Sequence, residues 1–300
     1  MRNILDMLFG AGIRIGLSSR AIAIVHQAPW GGKNTILLNH GLNLEMAPSG
    51  QVTEICMRLV PQVQAHCRAA LAGTTYAGLP VYITLSDELT RLFIVTPPQN
   101  SARLHDIKAA AAMRFQALYG DVGVDSDSVW RLEADWQAGR PFVACAIPRI
   151  LVDALCSMAG EHGLYVQAIE PNFAAAWNAA RKGIAKGAWF GVVHEDALTL
   201  GAMAAGSRHL GAVRSLTIPA DGHESTWLEE QLKRAALQLD GPAPEQIVLA
   251  GNCKRFWSDK HRASAAEPAL VVSNIEAVGT VAGQAQIPAG MLLAGKAVRA

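Results

Sequence analysis

Twice along this 300-residue chain a meander of short strands is followed by helices, and that recurrence limits the folds open to it more than any other feature. The first meander opens with IRIGLSSRAIAIV (13–25), in which Ile13 and Ile15, then Ile22 and Ile24, alternate around a Gly/Ser turn as a half-buried hairpin requires. A third strand is expected over 35–44 and a helix over 52–71, which Pro61 should kink or divide. The second meander starts at Trp189, with strands expected over 189–193, 197–203 and 210–218 and turns at 194–196 and 205–207. Thr226 and Glu229 then give a capping-box pattern ahead of a helix bearing Leu228, Leu232, Ala235 and Leu239, and a buried strand over 246–251 ends in Gly251-Asn252. The two halves share this order without sharing residues.

Between the meanders lies a different unit. The run 79–95 alternates like a hairpin closed by Pro97-Pro98, and Leu104, Ile107, Ala111, Phe115 and Leu118 recur at threes and fours in a helix over 101–119 that stops at Gly120. Strands over 128–133 and 142–147 follow, then a helix opened by Pro148 that carries Leu151, Leu155 and Met158 to Gly163. The pattern predicts a small α/β insert over about 80–165. A strand over 165–170 and a helix over 171–181 return to the main body, and Gly183 and Gly187 mark a break. The expected organisation is therefore a first lobe over 1–187, containing the insert, and a second lobe over 188–300.

Composition narrows the function classes. With 51% hydrophobic and 17% charged residues the chain can bury a large core. Its 26 basic and 25 acidic residues nearly cancel and no run of Lys and Arg occurs, which argues against a nucleic-acid partner. The five cysteines are odd in number and lack C-x-x-C spacing, as expected of buried thiols in a reducing compartment. Cys56 and Cys67, eleven residues apart, share a helix face if the helix continues through Pro61, and no further ligands follow at zinc spacing. The opening MRNILDMLFG is too short and too interrupted for a signal peptide, and no apolar run is long enough to span a bilayer, so a cytoplasmic protein is expected. Ile4, Leu5, Leu8 and Phe9 are expected to pack on the body, with a partner surface as the alternative.

Several motifs fall short of chemistry. The string from Gly290 to Ala297 matches G-x-x-x-x-G-K but lacks the hydroxyl that holds Mg²⁺, and Gly10, Gly12 and Gly16 miss the dinucleotide spacing. No two of the nine histidines have the i, i+4 spacing of a helical metal pair, and no Gly-x-Ser-x-Gly elbow is present. Ser86-Asp87-Glu88 reads as a turn with solvated charges. Trp177, Trp189 and Trp227 fall in apolar patterns expected to be core, whereas Trp130, Trp136 and Trp257 are free to serve either core or interface.

The opening hairpin, FVACAIPRILVDALCSMAGEHGLYVQAIEPNFAAAWNAA (142–180) and IVLAGN (247–252) together resemble the actin-like ATPase superfamily, and within it the PilM and GspL proteins of type IV pilus and type II secretion assembly. The resemblance implies an α/β, actin-like (ribonuclease H-like) two-lobed fold with an inserted small α/β subdomain. In that family ATP sits between the lobes, held by an Asp-x-Gly-Ser/Thr hairpin, a glycine-rich second hairpin and a late Gly-Gly turn. Carried onto this chain, the nucleotide positions are Arg14, Gly16, Ser18, Ser19, Gly251 and Asn252. Arg14 stands where the acid should be, Val193-His194-Glu195-Asp196 where the second hairpin should carry Asp and Gly, and Gly251-Asn252 where Gly-Gly should be. A carboxylate at the first position holds the metal through water, which a guanidinium cannot do. Bulk in the second turn keeps phosphate from the backbone. Arg14 could still pair with phosphate directly, leaving nucleotide binding without turnover open. The implied function is a non-enzymatic scaffold with no cofactor, partnered by the N-terminal cytoplasmic tail of a PilN-like inner-membrane protein. Such a tail would lie as an extended peptide between the first subdomain and the insert, on a pilus or secretion assembly platform. The alternative is an active ATPase or sugar kinase of the same superfold.

Overall fold

A computed structural model describes residues 10–29, 33–42, 44, 51–73, 76–99, 103–120, 129–203, 209–219, 225–238, 243–252, 257, 271–275, 290 and 293–294. The expectations for Ile4, Leu5, Leu8, Phe9, Leu239, Cys253 and the turn at 205–207 lie outside these residues.

The two meanders build two sheets of one plan. In the first lobe β1 (Gly12–Leu17), β2 (Ala21–Gln27) and β3 (Thr35–Gly41) pair antiparallel, and β4 (Pro80–Leu85) and β8 (Tyr165–Pro171) extend the sheet in parallel, in the order β3-β2-β1-β4-β8. In the second, β9 (Trp189–His194), β10 (Ala197–Met203) and β11 (Leu210–Thr217) form the meander, and β12 (Gln246–Gly251) and β13 (Val271–Ile275) run parallel, in the order β11-β10-β9-β12-β13. Shared order without shared residues thus becomes shared topology.

Helix α1 (Val52–Leu71) runs unbroken through Pro61, so Cys56 and Cys67 do share a face and both are fully buried. They join Leu59, Val63 and Leu71 in one core with Ile13, Ile15 and Leu17 of β1. Each such aliphatic side chain contributes about 1.5–3 kcal/mol through burial. Burial also pushes both thiols up to about 12, which keeps them protonated.

The expected hairpin over 79–95 does not form. β4 hydrogen-bonds to β1 and β8, while β5 (Arg91–Val95) pairs with β7 (Phe142–Pro148), which also takes β6 (Trp130–Ala134). The alternation is real, but a one-turn 3₁₀ helix at Asp87–Leu89 redirects the chain from one sheet to the other. The insert's own three-stranded sheet, β5-β7-β6, thus runs from Arg91 to Pro148. Helix α2 (Leu104–Tyr119) packs on β5 through Phe115, whose ring lies 5.7 Å from that of Phe93 and 5.4 Å from that of Trp130. Helix α3 (Arg149–Glu161) packs against α1, and α4 (Asn172–Ala180) follows β8. In the second lobe, helix α5 covers Ser225–Gln238. Trp130 and Trp257 are 6% and 1% exposed, so both belong to the interior, Trp257 stacking on Trp227 with ring centroids 5.9 Å apart.

Candidate functional site

The cleft between the lobes is built by three turns. The β1–β2 turn brings Ser18, Ser19 and Arg20; the 3₁₀ turn after β4 brings Asp87 and Glu88; and the β9–β10 turn brings Glu195 and Asp196 from the second lobe. The first turn closes on itself. Ser18 donates its N–H to Ala21 O (2.9 Å), while its hydroxyl oxygen accepts the amides of Arg20 (3.2 Å) and Ala21 (3.0 Å). The amide of Ser19 donates to Glu88 Oε1 at 2.8 Å. Each of the four consecutive amides from Ser18 to Ala21 therefore has a protein acceptor. An anion cradle needs such amides open.

Across the cleft the Ser18 hydroxyl donates to Glu195 Oε1 (3.2 Å) and Arg20 pairs with Asp196 Oδ2 (2.9 Å). Ser86 and the buried His194 are joined at 3.3 Å between Oγ and Nδ1. Glu195 has φ +52°, the first central residue of a two-residue hairpin turn, a position that glycine favours. Burial and then repulsion from Glu88 raise its carboxyl pKa above the ordinary 4.5, against the attraction of Arg20 and the bond from Ser18. The bond to Asp196 raises the Arg20 guanidinium. A triphosphate entering here would meet the carboxylates of Glu88, Glu195 and Asp196, opposed by Arg20.

Arg14 takes no part in that turn. Its guanidinium lies 4.6 Å from the centre of the Tyr82 ring, its register neighbour on β4, and its Nε donates to Gln27 Oε1. Burial lowers it to about 10, partly offset by Tyr82 and Glu170, so it remains charged at neutral pH with Nη1 buried and without a hydrogen-bond partner. Glu170 is raised by burial and lowered by Arg14.

Two glycines expected at a nucleotide site are required by packing of the chain on itself. A Cβ on Gly16 would lie 2.1 Å from Gly290 O and 2.4 Å from Ala294 N, because the helical residues Gly290, Leu293 and Ala294 press on that face of β1. The P-loop-like string at 290–297 thus contributes packing where it is described. Gly251 has φ +96°, and a Cβ there would lie 2.0 Å from Val193 O, the same carbonyl that accepts the Asn252 amide at 3.1 Å. The structure so brings Ser18, Ser19, Gly251 and Asn252 around the 193–196 segment and leaves Arg14 in the sheet behind them.

Sequence reasoning reads Asp87 and Glu88 as a solvated turn and Glu195 and Asp196 as bulk in the second hairpin, and misses that Glu88, Glu195 and Asp196 meet at the first turn. Ser86-Asp87-Glu88 is not a solvated turn: Ser86 and Asp87 are buried, Asp87 Oδ1 accepts the Phe173 amide at 2.9 Å, and Glu88 holds Ser19. The available signal was position, an acidic pair directly after a central parallel strand and a Glu where a two-residue turn favours Gly.

No protein-family model and no curated protein matches the sequence. Solved structures do match in shape. A Bacteroides thetaiotaomicron protein with actin-like ATPase fold and unknown function aligns over 85% of this chain and 91% of its own, at 11% identity and TM-score 0.51. The PilM-PilN type IV pilus biogenesis complex aligns over 82% of each chain at 14% identity and TM-score 0.52. The cytoplasmic domain of EpsL, an inner-membrane component of the type II secretion system of Vibrio cholerae, aligns over 80% and 81% at 9% identity and TM-score 0.43. The chain has the actin-like fold, with the insert, that its sequence strings resemble. Among the described residues no helix is long and apolar enough to cross a membrane, and no group of three or more metal-ligating side chains converges.

Proposed function

We propose that this protein is a non-hydrolysing actin-like scaffold of a type IV pilus or type II secretion assembly, stationed at the inner membrane through its partners. Its partner is the N-terminal cytoplasmic tail of a PilN-like membrane protein. The observation that carries the reading is the occupied cradle: the four amides of residues 18–21 are spent on the protein's own acceptors, one of them a carboxylate, Glu88. Cross-lobe bonds from Ser18 to Glu195 and Arg20 to Asp196 supply the bridging that a nucleotide gives an active member of the fold.

The partner reading is supported by the likeness to PilM of the PilM-PilN complex and by a groove of about 570 Å³. One side of the groove is a face of the insert sheet (Leu92, Val143, Cys145, Ile147), the other is β8 and α4 (Ile169, Phe173, Ala174, Trp177). An extended tail suits such a site, because alternate side chains reach apolar pockets while its backbone stays open to the β8 edge.

Calorimetry and phosphate release with ATP and Mg²⁺ test the first half. No turnover is expected, and turnover that disappears in Ser18→Ala or Ser19→Ala would make the protein an active ATPase or kinase. Binding of a synthetic N-terminal tail of a PilN-like inner-membrane protein tests the second half, with loss expected in Ala174→Trp.

A further inference from the structure

The charges around this groove do not balance once the pairs already formed are set aside. On the insert wall Glu133 is paired with Arg131 at 2.8 Å. Asp135, Gln137 and Arg140 are chained, Gln137 Nε2 donating to Asp135 Oδ2 at 2.5 Å and Arg140 Nε to Gln137 Oε1. In the floor, Glu170 sits in the field of Arg14. What remains is on the first-lobe wall: Arg181 and Lys182, both exposed, directly after the last turn of α4. Neither has a carboxylate partner among the described residues. His209 faces the same groove from the second lobe.

We infer that the groove selects an extended peptide bearing an acidic side chain, placed against Arg181 and Lys182, beside apolar residues that alternate over the half-buried Val143, Ile169 and Ala174. This rests on the peptide-binding reading above and adds to it the chemistry of the partner. The insert wall is neutralised internally, so it neither attracts nor repels a charged segment. The first-lobe wall offers two cations whose only competition is solvent, and an exposed pair of this kind steers and selects more than it tightens. The apolar base supplies the grip; the cations set which tail is accepted and in which direction it lies.

A phage-displayed library of random dodecapeptides, selected on the wild-type protein and counter-screened on variants, tests the inference. Arg181→Glu/Lys182→Glu reverses the cations at two exposed positions and is expected to leave the thermal midpoint unchanged. Ala174→Trp fills the groove, and Val143→Arg blocks it from the opposite wall should the first variant misfold. The expected clones carry Asp or Glu next to alternating apolar residues, lose binding in the blocked variants, and weaken about tenfold on charge reversal, with a matching weakening at high salt. Clones that need the open groove but carry no acid, or ignore the reversal, would overturn the inference and leave the groove standing. Clones indifferent to both blocking variants would remove the groove itself as the peptide site.

Discussion

The backbone N–H of Ser19 donates to the carboxylate of Glu88 at 2.8 Å, across 69 residues of sequence. The bond places the protein's own negative charge on the turn that the resemblance to actin-like ATPases would assign to phosphate. Glu88→Ala should therefore do two things. It leaves a partly buried amide without its charged acceptor, costing about 1–2 kcal/mol in chemical denaturation. It also exposes one amide of the turn, so the double variant Glu88→Ala/Glu195→Gly should bind inorganic pyrophosphate measurably by calorimetry where the wild type does not. Absence of binding in the double variant would show that the turn, and not its resident acids, excludes the anion.

Gly16 and Gly251 are expected from the resemblance at a nucleotide site, yet backbone atoms of the same chain fill the space beside them. Gly16→Ala should cost about 2–3 kcal/mol through overpacking against Gly290 and Ala294. Gly251→Ala should cost at least as much, because positive φ strain adds to the clash with Val193 O. Both losses should be seen in thermal unfolding without any nucleotide present; variants as stable as wild type would return these glycines to ligand binding.

The cleft acids predict a pH dependence of definite sign. Glu195 and Glu170 both have carboxyl pKa values raised above 4.5 in the folded state, mainly by burial. A raised pKa means the fold binds these protons more tightly than the unfolded chain does. Their stabilising contribution is full below about 4.5 and declines as pH rises from there through the folded values. Glu195→Gln should flatten that part of the stability profile and raise stability at neutral pH, since the amide still accepts from Ser18. A steeper profile in the variant would contradict the assignment.

Arg14 is buried and the half-buried Glu170 lies in its field, so the two should behave unequally in single and double variants. Arg14→Met removes the cation that favours the Glu170 carboxylate and should cost about 2 kcal/mol, whereas Arg14→Met/Glu170→Gln should return to within about 1 kcal/mol of wild type. Additive losses in a denaturation cycle would mean that the two do not interact.

Thiol chemistry separates the interior from the surface. Cys156 is exposed, whereas Cys56, Cys67 and Cys145 are buried with their thiol pKa values pushed up by burial. Among these four, Cys156 alone should react rapidly with a thiol reagent in the native protein, and Cys156→Ser should abolish that fast phase.

The strands and helices of the two lobes were legible because they rest on local periodicity: Ile13 to Ile24 alternates, and Leu151, Leu155 and Met158 recur at helical spacing in α3. The partners of β4 and β5 were not, because alternation reports that a strand has two faces and not which strand lies beside it. β13 has no flanking signal strong enough to mark it, and the packing of Gly290 on β1 joins residues far apart in the chain. The site followed the same division. Arg14 is visible as a foreign charge at a motif position, but its turning toward Tyr82 and Gln27 depends on β4 and on the far end of β2. Glu88, which takes an amide of the turn, and Glu195 and Asp196, which take the Ser18 hydroxyl and the Arg20 guanidinium, converge only in the assembled lobes.

The insert strand β5 packs on β11 of the second lobe, and helix α4 of the first lobe packs on β9, where Phe173 and Trp177 meet Phe190 with ring centroids 5.6 and 5.5 Å apart. With the cleft bonds of Ser18 and Arg20 added, the two halves are joined along a seam rather than at a single hinge. Opening the cleft like a jaw would have to part these contacts together, so a force applied to the insert would be shared with the second lobe.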